Sequence, residues 1–144
     1  MKVNYKINTN KELIYNYLIH SLILEIYKDE NHTYLEENLH PGFTYNKKIK
    51  DKSGKEIKAD VEILEINQNE LKTKLQLPNT THIISYQFND DYLIYEEQAT
   101  SDKKTLDLNN KFMSFLFKHK LKKQIIKRLK KIEKYIEGNN AWEN

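Results

Sequence analysis

From Phe43 to Ala99 the chain places an apolar residue at nearly every second position, broken only by short polar turns. Side chains of an extended strand point alternately to two faces, so this pattern demands sheet with one face covered and the other wet. Phe43, Tyr45 and Ile49 form the first alternating set, and after Asp51-Lys52-Ser53-Gly54 come Ile57, Ala59, Val61 and Ile63. Leu71, Thr73, Leu75 and Leu77 form the next. Pro78-Asn79 then turns the chain into Ile84, Tyr86 and Phe88, and Asn89-Asp90-Asp91 reads as a hairpin loop. The returning strand has Leu93, Tyr95, Glu97 and Ala99 on one face and Tyr92, Ile94, Glu96 and Gln98 on the other, and alternation alone leaves open which face is inward. Connections this short join antiparallel neighbours, so the segment is expected to be a meander of five strands.

The flanks switch to a different period. Val3, Tyr5 and Ile7 alternate as one more strand, after which Thr9 and Glu12 stand at capping-box spacing before a 3.6-residue pattern that runs to about Lys28. A second capping box, Thr33 and Glu36, predicts a short helix ending by Leu39, because Pro41 disfavours helix at His40 and Gly42 permits a sharp turn. The last element is a helix from near Asn109 to Glu137, with a stripe of Leu121, Ile125, Leu129, Ile132 and Ile136 and a stop at Gly138. Its first turns, Phe112 to Phe117, are apolar almost all round. Such elements predict an α+β domain over residues 1–138: a curved antiparallel sheet of about six strands wrapped on a long C-terminal helix, with one or two helices after the first strand. Residues 139–144 are expected to form a flexible tail.

Composition removes several chemistries. With no cysteine there is no disulfide framework, thiolate metal site or Cys nucleophile, and three glycines leave little for a phosphate-binding loop. None of the five histidines pairs at the i, i+4 spacing of a zinc helix, and Glu37 with His40 offers only two ligands, so neither metal nor cofactor is expected. The acidic pairs Glu36-Glu37, Asp90-Asp91 and Glu96-Glu97 are adjacent, and adjacent strand residues face opposite ways, which leans the reading away from two-carboxylate catalysis. Glu97 alone is of interest, because on an inward Leu93/Tyr95 face it is a carboxylate among apolar groups that Lys47 could reach. The longest greasy stretch, Leu13 to Tyr27, is interrupted by Asn16, His20, Ser21 and Glu25. No leader segment or membrane span is read, and a soluble cytoplasmic protein is expected.

The segments Thr33-Tyr34-Leu35 through Leu39, Gly42-Phe43-Thr44-Tyr45, Ile84-Ser85-Tyr86 and Tyr95-Glu96-Glu97, with the block FMSFLFKHKLKKQIIKRLKKIEKYI, resemble the bacterial family called domain of unknown function 3284. That family is similar in layout to the START-like (SRPBCC) helix-grip superfamily. The resemblance implies a cavity between curved sheet and long helix, which the superfamily often uses for lipids, sterols, polyketides or other apolar ligands; it implies fold more than function. Tyr45, Tyr86, Tyr95, Glu97, Phe112, Phe115 and Leu116 are the expected lining of such a cavity, and the expected role is non-catalytic binding of a small apolar molecule.

Charge supplies the alternative. Lys111 to Ile136 holds ten basic residues and one acid, so this segment carries +9 and the remainder −6. Lys120, Lys123, Lys127, Lys130, Lys131 and Lys134 fall on one arc opposite the apolar stripe. A solvated outer face, a docking strip for a protein or an anionic membrane, and a nucleic-acid contact are the three readings. The last is disfavoured, since lysine reads base edges poorly and Arg128 is the only arginine of the chain.

Overall fold

A computed structural model describes residues 1–30, 36–50, 53–101 and 109–143, with side chains described outside 29–30, 101, 109–119 and 139–143. Strand β1 (Lys2–Lys6) leads into helix α1 (Lys11–Glu30), and a single 3-10 turn at Glu36–Asn38 precedes β2 (Thr44–Lys50). Four further strands follow, β3 (Glu56–Asn67), β4 (Glu70–Gln76), β5 (Thr80–Phe88) and β6 (Tyr92–Ser101), before helix α2 (Asn109–Glu143). All six strands form one antiparallel sheet in the order β1-β6-β5-β4-β3-β2. The expected α+β helix-grip layout is therefore the one observed: a curved sheet packed on a C-terminal helix, with one α-helix after the first strand.

Register fixes the covered face. Val3, Tyr95, Tyr86, Leu71 and Ile66 stand opposite one another across five strands, and Glu97, Ile84, Thr73 and Ile63 make a neighbouring row. The face of β6 left open by alternation is thus decided: Leu93 and Tyr95 are buried, whereas Tyr92 is exposed. A bulge in β3 between Ile63 and Glu65 takes up one extra residue. Without it strict alternation would turn Ile66 outward; with it Ile63 and Ile66 both meet the core.

Both helices lie on the covered face, α1 against β2 and α2 against β1, and they touch each other. Helix α1 buries Ile14, Ile19, Leu22 and Ile26, and α2 buries Leu129, Ile132 and Ile136. Gly42 and Gly54 adopt φ of 92° and 83°, a region open to glycine, at the entry to β2 and in the β2–β3 turn.

Three details depart from the sequence pattern. The cap of α1 is Asn10, whose Oδ1 accepts from the Glu12 amide at 2.8 Å. Thr9 instead donates its hydroxyl to Glu133 Oε2 at 2.9 Å, and the same oxygen accepts the amides of Asn8 and Thr9 at 2.8 and 2.7 Å. Glu133, 4% exposed, thereby satisfies the turn between β1 and α1 from the opposite end of the chain. Helix α2 also continues through Gly138 to Glu143; that glycine does not take the left-handed conformation that ends a helix. Of the second capping box, Thr33 lies outside the described residues, and Glu36 opens only the 3-10 turn.

Candidate functional site

Among the described residues, strand alternation builds two polar clusters on the covered face, in addition to the Glu133 contacts. Tyr45 and Lys47, two apart on β2, point the same way, toward Glu25 one turn beyond Leu22 on α1. The Tyr45 hydroxyl donates to Glu25 Oε2 at 2.6 Å and Lys47 Nζ to Oε1 at 2.9 Å, so both carboxylate oxygens are engaged. The second cluster rests on Tyr86 and Tyr95, opposite each other on β5 and β6 with ring centroids 5.2 Å apart at 67°. The Arg128 guanidinium lies 5.9 Å from both centroids and donates to the Tyr86 hydroxyl. Tyr95 donates to Glu97 Oε2 at 2.9 Å. The other Glu97 oxygen stands 3.6 Å from His82 Nδ1, and His82 Nε2 is 3.1 Å from the Thr80 hydroxyl.

Burial holds the Tyr95 phenol far above its ordinary range, and the Glu97 carboxylate beside it acts in the same direction. Tyr86 is raised too, chiefly by burial, with Arg128 pulling partly the other way. Both hydroxyls are therefore neutral donors and acceptors at physiological pH.

Between α1, the sheet and α2 lies an open cleft of about 400 Å³. Leu18, Leu22, Leu75 and Ile84 give it apolar walls, and Glu25 with Lys47 and Arg128 supply its charges. The expected residues distribute unevenly around it. Tyr45 and Tyr86 line it, Tyr95 packs behind Tyr86, and Glu97 shares the covered face but not the lining. Phe112, Phe115 and Leu116 belong to the first turns of α2, where side chains lie outside the described residues. Lys47 engages Glu25 rather than Glu97: β2 and β6 are four strand spacings apart, roughly 19 Å at about 4.8 Å each, beyond the reach of a lysine. His40 is exposed, its Nδ1 2.9 Å from the Pro41 carbonyl oxygen.

The residues that sequence reasoning missed are Glu25 and Arg128. Glu25 falls on the apolar arc of α1, where a charged residue has to find a partner; Arg128 is the one arginine among 24 basic residues.

Comparison with known proteins agrees with this architecture. Residues 1–118 match the family described as Domain of unknown function (DUF3284). A protein of unknown function from Staphylococcus aureus shares the fold at a TM-score of 0.63 and 11% identity, over 99% of this chain and 94% of that one. An uncharacterised protein from Rhizobium leguminosarum superposes at 0.56 with 11% identity over 95% and 93% of the two chains. One from Nitrosomonas europaea gives 0.54 with 14% identity over 98% and 96%. Comparison with curated proteins finds no match.

Proposed function

We propose that this chain, which belongs to the DUF3284 family, binds a small, mainly apolar molecule without chemically altering it, in the manner of START-like helix-grip proteins. The observation that carries this reading is the cleft between α1, sheet and α2. Its volume of about 400 Å³ falls within the roughly 300–1,000 Å³ of small-molecule sites, and an apolar wall with a few convergent polar groups is how such sites are built. The carboxylates nearby support binding over catalysis: Glu25 is held by Tyr45 and Lys47, and Glu97 by Tyr95.

Native mass spectrometry of the purified protein, followed by titration with the uncharged dye Nile red, tests the proposal. Expected are a released apolar companion or one-to-one dye binding, and loss of binding in Thr73→Trp, which fills the cleft floor, with the circular dichroism spectrum unchanged. Absence of a companion together with dye binding that Thr73→Trp leaves intact overturns it.

A second reading is favoured by one observation: Lys120, Lys123, Lys127, Lys130, Lys131 and Lys134 are all exposed, on the side of α2 away from buried Leu129 and Ile132. Among the described residues no helix is long and apolar enough to cross a membrane; a basic helix face of this kind instead suits the surface of an anionic bilayer. On this reading the protein floats with phosphatidylserine vesicles but not with phosphatidylcholine, and the triple charge reversal Lys127→Glu, Lys131→Glu, Lys134→Glu stays at the bottom of the gradient. Failure of the native protein to float removes the reading.

A further inference from the structure

We infer that the molecule held in the cleft ends in a single carboxylate, received by Arg128. This rests on the binding role proposed for the cleft and specifies the ligand. Among the described residues three charged side chains line the cleft, Glu25, Lys47 and Arg128. Glu25 and Lys47 neutralise each other at 2.9 Å. Arg128 makes no ion pair among the described residues: its described partners are the Tyr86 hydroxyl and the faces of two tyrosine rings, and Glu97 is turned to Tyr95 and His82. Among the described residues the lining therefore carries one uncompensated positive charge, on the solvent-exposed Arg128.

The chemistry of the side chain narrows the ligand. A guanidinium has five donors in a planar fork that matches a carboxylate at two points, whereas lysine offers a point charge and stacks poorly. The chain uses lysine at 23 of its 24 basic positions and arginine only here. Lying 5.9 Å from the Tyr86 and Tyr95 centroids and bonded to the Tyr86 hydroxyl, the guanidinium is held at the rings while keeping donors beyond the one given to Tyr86. A phosphate monoester, with about −1.5 to −2 charges near neutral pH, exceeds the single charge to be met; a carboxylate matches it.

Because Arg128 is the only arginine, its Nε–Hε group gives a single side-chain signal in a ¹H–¹⁵N spectrum and reports on the cleft without ambiguity. The test titrates the native protein with decanoate and with decanol, which share a chain and differ in charge. Decanoate is expected to bind about tenfold more tightly, the order of one charge-assisted hydrogen bond, and to move the Arg128 signal. Arg128→Gln is expected to remove the preference, Arg128→Lys to retain part of it, and Lys58→Gln, an equal charge loss on an exposed strand position, to leave it unchanged. Equal affinities for the two probes on native protein overturn the assignment to Arg128 while sparing the cleft; binding of neither overturns the cleft reading itself. If Arg128→Gln does not fold, the native signal decides: movement with decanoate alone supports the inference. A still Arg128 signal while backbone amides of the cleft shift sinks it.

Discussion

Raising the pH above 10 unfolds the protein over a narrow interval, with the buried tyrosines ionising as the fold is lost. Tyr5, Tyr86 and Tyr95 all have phenols pushed up by burial; Glu133 adds to the effect at Tyr5 and Glu97 at Tyr95. Below about pH 10 both native and unfolded chains keep these protons, so their contribution to stability is fully present. Above it the unfolded chain releases protons that the native chain retains, and stability falls by about 1.4 kcal/mol per pH unit for each such tyrosine. Tyr5 and Tyr95 together give roughly 3 kcal/mol per unit, and Tyr86 adds in the same direction, against a total of about 5–15 kcal/mol for an ordinary domain. Tyrosinate absorbance and far-UV circular dichroism recorded on the same samples check this. A steep rise in tyrosinate absorbance should coincide with loss of ellipticity. Complete ionisation near pH 10 with the spectrum intact would contradict the burial described above.

Leu129→Ala is expected to cost about 2–5 kcal/mol and lower the melting temperature by on the order of 10 °C. Leu129 is 1% exposed and among the most deeply buried side chains, in the stretch of α2 that also buries Ile132 and Ile136. Truncation there leaves a hole at the core, because the hydrogen-bonded sheet on which α2 packs cannot follow inward. Tyr135→Ala, on the same helix at 58% exposure, is the comparison and should shift stability by less than about 1 kcal/mol. Chemical denaturation of both variants measures the contrast, and similar losses in the two would show that α2 is not anchored through Leu129.

The sheet was legible because its signal is local. Alternation at Ile57, Ala59, Val61 and Ile63 requires one covered face whatever the topology, and the paired turns leave a meander as the simple connection. What alternation cannot say is which of two equally patterned faces is covered, and the rows through Tyr86 and Tyr95 decide that only once β5 and β6 are in register. The site was half legible for the same reason. Tyr45 and Tyr86 were found because both lie on strands with one apolar face. Glu25 carries no local signal because its partners are 20 and 22 residues away, and Lys47 seen in sequence alone is free to face Glu97 because strand order, which separates them, is not written in either segment. Arg128 is visible in the sequence as the only arginine, but nothing local sets it apart among the ten basic residues of its helix.

The carboxylate of Glu133 has a consequence for how the chain is made. It accepts the amides of Asn8 and Thr9, 125 and 124 residues earlier in the sequence. At a synthesis rate of about 5–20 residues per second, the ribosome adds the later residue roughly 6–25 s after the earlier one. For that interval the first turn of the domain has only water to bond with. Val3 and Tyr5 likewise wait for β6. The fold therefore closes like a clasp, after translation has carried α2 clear of the exit tunnel, and the nascent chain has to remain soluble with its earliest strand unpaired until β6 is made and its first turn uncapped until α2 follows.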